Sequence, residues 1–255
     1  MKDLSQLSGL EIKLDEEKLV YDKQVFPFEP KTRTMDDARD VYLKKGEPQK
    51  DLYYMYRFFE KPNDIKTFEN IKAEYDITVF NPGTVGEEFI KTVGHYHGLV
   101  PGTNITYPEV YEVLDGQIEF LLQSLPNEEG TVDVVIVQAE VGDKVVSPPN
   151  YGHIMVNIGS EPAISSNIQF RNGTAGASYE FYPAHQGGAL YRTQAEEWVK
   201  NPNYKIGTTK TIKPKEKPEW GLVKNKPLYD SFIEEPEKFR WISEPQNYDF
   251  SEFLK

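Results

Sequence analysis

Between Leu52 and Phe181 the chain repeats one pattern: a short run rich in Val, Ile, Phe and Tyr, then a cluster of Gly, Pro, Asn or Asp. The runs YDITVF (75–80), EVYEVL (109–114), QIEFLLQ (117–123), VDVVIVQ (132–138), DKVVSPP (143–149), HIMVNIG (153–159) and AISSNIQF (163–170) read as strands. Asn81-Pro82-Gly83 closes the first, and Asp115-Gly116 between the next two is a two-residue hairpin signal. EEFIKTVGHYH (87–97) alternates more loosely and also reads as a strand. Short strands punctuated by turns every eight to twelve residues or so predict an all-β barrel or sandwich.

The flanks differ from this centre. Residues 1–50 are polar, and the pattern predicts a helix over Thr34–Lys45, opened by Thr34 with Asp36–Asp37 and closed by Lys44, Lys45 and Gly46. From Arg192 onward Pro, Lys and Glu dominate, with a short helix predicted over Thr193–Lys200. The tail carries Trp220, Tyr229, Phe232, Phe239 and Trp241 as aromatic anchors but too few aliphatics for a core of its own. One domain is therefore expected: an N-terminal extension (1–50) packed on a barrel (51–191), and a C-terminal extension (192–255) wrapped around it.

Composition narrows the function classes. No apolar run is long enough to span a membrane, and the N-terminal MKDLSQLSGLEIKLDEE lacks the apolar centre of a secretory signal, so a cytoplasmic protein is expected. The absence of cysteine excludes disulfides, thiolate metal sites and a cysteine nucleophile. A net charge of −12 argues against nucleic acid or an anionic membrane as partner. The lysines between Lys210 and Lys226 are interleaved with prolines and answered by glutamates, and read as a solvated, partly extended segment.

Against that background two of the chain's four histidines, His95 and His97, stand one residue apart. On a strand they project to the same face, and Glu109 and Tyr111 have the same relation on the next strand. His153 adds a third imidazole. A bare HxH is as compatible with satisfied strand histidines as with a metal. Three imidazoles and a carboxylate on neighbouring strands, however, form a nitrogen and oxygen donor set suited to Fe2+, Mn2+, Ni2+ or Zn2+.

The spacing of the surrounding residues resembles the two motifs of the cupin superfamily, G-x5-HxH-x3,4-E-x6-G and G-x5-PxG-x2-H-x3-N. The HxH, the Glu109-x6-Gly116 and the Gly142-x5-Pro148 … His153-x3-Asn157 are intact. Three positions depart from it: Phe89 replaces the first glycine, Asn150 replaces the inner glycine of the second motif, and eleven residues separate His97 from Glu109. The long spacer, GLVPGTNITYP, reads as an insertion at a hairpin tip. The run ITVFNPGTVGEEFIKTVGHYH (77–97), with Glu109-Val110-Tyr111 and PPNYGHIMVNIGSEP (148–162), further resembles the cupin-type phosphoglucose isomerases of archaea and bacteria.

That resemblance implies a single-domain cupin barrel, a double-stranded β-helix or jelly roll, that interconverts glucose 6-phosphate and fructose 6-phosphate. It implies one divalent metal per subunit, Fe2+ ahead of Mn2+, Ni2+ or Zn2+, held by His95, His97, Glu109 and His153. Thr78, Thr92 and the Gly94 backbone would cradle the sugar phosphate, Tyr111 and Tyr179 would line the sugar pocket, and Glu109 with Tyr111 would serve catalysis. A homodimer is expected, with a phosphosugar as the small-molecule partner. In the family's AGHDY-like segment, matched here by Ala175-Gly176-Ala177-Ser178-Tyr179, Ala177 takes the place of a histidine, and His185 is the one histidine left to substitute for it. The alternatives are another metallocupin enzyme, an iron dioxygenase or decarboxylase, and a non-catalytic sugar-binding cupin. The polar, anion-sized Thr78/Thr92/Gly94 set and the complete donor set weigh against both.

Overall fold

A computed structural model describes residues 1–26, 29–46, 50–171, 177–195 and 198–255. Ten strands in two sheets form its centre: β1 (Lys31–Thr34), β2 (Asp51–Tyr56), β3 (Ala73–Phe80), β4 (Glu109–Asp115), β5 (Ile118–Ser124), β6 (Thr131–Ala139), β7 (Lys144–Ser147), β8 (Tyr151–Asn157), β9 (Ala163–Phe170) and β10 (Lys205–Ile212). The larger sheet runs β7-β4-β9-β3-β2-β1 and the smaller β8-β5-β6-β10. Every pairing is antiparallel except β6 with β10. The expected all-β barrel of two sheets is what the chain forms, antiparallel throughout except where the added strand β10 runs parallel to β6.

Alternation on the large sheet explains how one strand serves two cores. On β3, Phe80 points inward, into the apolar cluster shared with the small sheet, while Tyr75, Ile77 and Val79 point outward into a second cluster. All eight residues of β3 are buried. On β2 the same rule sends Tyr53 and Met55 inward and Tyr54 and Tyr56 outward. The outer face is covered by segments near both ends of the chain: Leu4, Ile12 and Leu19 from the N-terminal segment that carries a small three-stranded sheet, and Trp220, Tyr229, Phe232, Phe239 and Trp241 from the tail. All five tail aromatics are buried. A sheet apolar on both faces needs such a cover.

Three elements differ from the pattern-based expectation. The helix over Thr34–Lys45 is shorter: an α-turn at Met35–Ala38 and a 3-10 turn at Arg39–Val41. Thr34 and Asp37 form a capping box as the sequence suggests. Tyr42 then turns extended because its hydroxyl bonds both the amide and the carbonyl of Lys91, at 2.9 and 3.1 Å. No helix forms among the described residues of Thr193–Lys200: Leu190–Arg192 pairs antiparallel with Trp198–Lys200, Tyr191 opposite Val199, a β-favouring pair. EEFIKTVGHYH is a strand only at Glu88–Phe89, and isolated bridges from Lys91 to Val156 and His95 to His153 lay the rest along β8.

The candidate metal centre and its cavity

Residues 91–97 form an irregular edge strand on β8. Thr92 donates its amide to the Met155 carbonyl (2.9 Å) and accepts the Met155 amide at its hydroxyl (3.0 Å). Gly94 then takes a φ of +79°, and a Cβ there would lie 2.6 Å from Ile154 Cγ1 and 3.0 Å from the His153 carbonyl. Only glycine allows this approach. It brings the backbone close enough for His95 to bridge to His153, so that both imidazoles face the barrel mouth.

The barrel brings His95, His97, Glu109 and His153 together as the spacing implied: one donor atom from each lies within 4.8 Å of all the others. Their orientation is fixed from behind. His97 Nδ1 lies 3.0 Å from the Tyr107 carbonyl, which only accepts, so Nδ1 carries a proton and Nε2 is turned toward Glu109. His153 Nδ1 lies 3.2 Å from Ser147 Oγ, whose own proton goes to the Tyr151 carbonyl at 3.3 Å, so in the neutral ring Nδ1 carries the proton and Nε2 is bare. Both Nε2 atoms stand 3.2 Å from Glu109 Oε2. The Nε2 atoms of all three histidines and Glu109 Oε2 are buried without a hydrogen-bond partner.

Electrostatics favour the neutral form of two of the imidazoles, His95 and His153. Burial pushes His95 well below the ordinary histidine value, and pushes His153 down to about 4 against the pull of Glu109. For Glu109 burial acts upward, but His153, His97 and the Tyr111 hydroxyl outweigh it and hold the carboxyl below its usual range. Burial, reinforced by Glu109, keeps Tyr111 protonated far into alkali. The Nε2 lone pair of neutral His153 therefore faces a carboxylate lone pair 3.2 Å away, with the Nε2 atoms of His95 and His97 buried beside them. That arrangement is repulsive by itself and fits a divalent cation at its centre.

The centre opens on a cavity of about 70 Å³, lined also by Thr78, Thr92, Gly94, Tyr111 and Tyr179. Every residue expected at the site is thus on its wall except His97, which reaches the centre from behind. Tyr179 stacks on His95 with ring centroids 4.8 Å apart. Ala177 and Tyr179 are described, whereas Ala175 and Gly176 of the same segment lie outside the described residues. His185 does not join the wall: its Nδ1 bonds the Phe181 carbonyl (2.8 Å), and its ring stacks on Phe181. Outside the mouth a vestibule of about 590 Å³ shares Arg33, Arg57 and Tyr179 with the inner cavity.

Sequence reasoning missed the two arginines, together with Tyr53, Asn167 and Gln169, all on the inner wall. The signal was period two: Tyr53, Met55 and Arg57 share a face, as do Asn167 and Gln169. Aromatic residues on both faces of DLYYMYR hid it.

A two-sheet β-barrel with a three-histidine, one-glutamate centre in its mouth is the class that fold and site define. The chain belongs to the glucose-6-phosphate isomerase family: the model of "Glucose-6-phosphate isomerase (GPI)" matches residues 33–208. Curated relatives include the glucose-6-phosphate isomerase of Pyrococcus furiosus, 41% identical over 48% of this chain and 55% of its own length. That of Thermococcus litoralis is 31% identical over 51% of this chain and 58% of its own. The match thus spans little more than half the length of these relatives. Among solved structures, the oxalate decarboxylase of Lactobacillus farciminis overlays distantly, at 21% identity and a TM-score of 0.33 over 49% of this chain and 30% of the other.

Proposed function

We propose that this chain interconverts glucose 6-phosphate and fructose 6-phosphate, with one divalent metal ion, Fe2+ ahead of Mn2+, Ni2+ or Zn2+, held by His95, His97, Glu109 and His153. The observation that carries the reading is the convergence of four buried donor atoms without partners, in a member of this family. When bound, the ion would supply Lewis acidity that polarises the sugar carbonyl. It would also leave the centre about one unit positive beside Glu109, which favours an anionic substrate in an acidic protein.

The chain's own residues supply the rest. Thr78, Thr92 and the Gly94 amide offer neutral hydrogen bonds to phosphate oxygens, and Tyr179 forms a wall over the sugar. Glu109 is the only carboxylate on the inner wall among the described residues, and it is ionised. It takes the proton from C2 of the open-chain aldose and returns it to C1, while the O2 hydroxyl proton passes to O1. Tyr111, kept protonated, hydrogen-bonds Glu109 and fixes the carboxylate's direction. A direct hydride shift would need no base. The two are separated by running the reaction in deuterated water, where transfer through Glu109 places deuterium on the transferred position. The reading also carries a cytoplasmic homodimer, which light scattering of the purified protein tests as to subunit number.

The protein stripped with chelator and reloaded separately with each metal should convert fructose 6-phosphate to glucose 6-phosphate. His97→Ala should lose both metal and activity. Stoichiometric metal binding without turnover would retire the isomerase reading and leave a metal-binding barrel.

A further inference from the structure

Arg57 follows β2 directly, on the inward face with Tyr53 and Met55, and the β2–β3 register sets it opposite Asp76. Asp76 is buried and completely engaged. It receives Arg57 Nη1, the Phe58 amide at 2.8 Å, and Gln169 Nε2 at 3.0 Å. The aspartate is therefore a fixed post for Nη1, while Nη2 lies 3.9 Å from Met55 Sδ, and the Arg57 side chain lines both cavities. Two residues along β3 from Asp76, on the same face, stands Thr78, about 6–7 Å away by strand geometry. Arg33 approaches from the other side. It hydrogen-bonds the Tyr53 hydroxyl, which also takes the Val93 amide at 3.3 Å, and its Nε is buried without a partner.

The neutral donors of Thr78, Thr92 and Gly94 are thus flanked by two guanidinium groups in a protein of net charge −12. Acidic groups also face the vestibule, Asp37 and Glu74, and they oppose an anion at its outer rim rather than at the inner wall. An arginine fixed by a buried aspartate loses little rotamer freedom on binding an anion, and its planar donors match phosphate oxygens.

Resting on the isomerase reading above, we propose that Arg57, with Arg33 beside it, is the charged anchor of the substrate's phosphomonoester and sets the preference for phosphorylated sugars. Neutral hydroxyls alone would bind the dianion weakly at the salt concentrations where surface fields are screened. Charge-assisted hydrogen bonds from a half-buried guanidinium retain most of their strength there.

Arg57→Gln in an Asp76→Asn background keeps a hydrogen-bonded neutral pair, so no buried carboxylate is left alone, and Arg33→Gln tests the second group separately. Either change should raise KM for fructose 6-phosphate and the inhibition constant of inorganic phosphate about 10–100-fold, the range of one charge-assisted hydrogen bond. Metal content should be unchanged and kcat should move much less. Arg57→Lys should recover part of the loss. A fall in kcat with KM and phosphate inhibition unchanged would overturn the proposal, since the arginines would then serve the chemistry or the fold. Should the wild type prove unable to isomerise, calorimetry with inorganic phosphate still decides. Affinity lost in the variants upholds the anchor while the isomerase reading falls, and affinity retained removes the anchor.

Discussion

At Gly94 an absent side chain holds the centre together. The position combines a φ of +79° with backbone contact to His153, so a methyl group there meets both a conformational penalty and a clash with Ile154. Gly94→Ala should therefore lower stability by about 2–4 kcal/mol, the sum expected from a left-handed alanine and local overpacking. It should also weaken metal binding, because the 91–97 segment must move away from β8 and His95 rides on it. Urea unfolding and metal titration would read the two effects separately. Lost stability with intact metal affinity would show that His95 is positioned from elsewhere. Residues of this kind are legible in sequence only in part: the glycine stands out between Val93 and His95, while what it touches lies on a strand nearly sixty positions away.

At the scale of elements, two departures from the cupin pattern meet in space. Asn150, in the left-handed region at φ +66°, accepts the Thr106 amide on its side chain at 3.0 Å and gives its own amide to Thr106 Oγ1 at 2.6 Å. The next residue, Tyr107, supplies the carbonyl behind His97 and stacks on Phe170 with centroids 3.9 Å apart. The long insertion is thus clamped to the turn before β8, and the clamp orients a donor imidazole. Asn150→Gly preserves the backbone conformation and removes the side-chain half of the clamp. It should cost about 1–2 kcal/mol of stability and about 10–100-fold in metal affinity, the range for loss of a residue that orients a ligand. Isothermal titration of the stripped protein tests this, and unchanged affinity would mean that Tyr107 holds its place without Asn150. The alternation rule predicted the strands carrying Glu109 and His153 because their periodicity is local. It overextended the strand before His95, which is set by Met155 and Val156 far along the chain, and it proposed a helix at Thr193–Lys200, where the chain instead folds back locally to pair Val199 with Tyr191.

Over the whole molecule, the outer face of the large sheet is the part that pattern reading saw least. Tyr75, Ile77 and Val79 read simply as alternate strand residues, and nothing local says that Trp220 and Trp241 will cover them. The aromatic anchors were visible in a tail poor in aliphatics; their register on the sheet was not. One buried polar group ties tail to barrel. Glu112, on the outward face of β4, receives Lys144 Nζ at 2.8 Å and the Leu228 amide at 2.8 Å, where the tail's Leu228–Glu234 helix begins. Burial pushes its carboxyl up to about 7 despite both partners. Between the ordinary carboxylate range and pH 7 the folded chain thus holds a proton that the unfolded chain has released, so this group's contribution to stability falls as pH rises through that window. His95 and His153 act in the opposite sense, neutral when folded and charged when unfolded at moderately acid pH, so they add stability as pH rises. Their contribution is common to the wild type and to Glu112→Gln and cancels in the difference. The stability of the wild type relative to Glu112→Gln, measured by urea unfolding of the metal-free protein, should therefore decline steadily from pH 4.5 to 7.5. Parallel curves would mean that Glu112 stays ionised throughout as the partner of Lys144, and that the tail is held to the barrel by a permanent ion pair rather than by a protonated carboxyl.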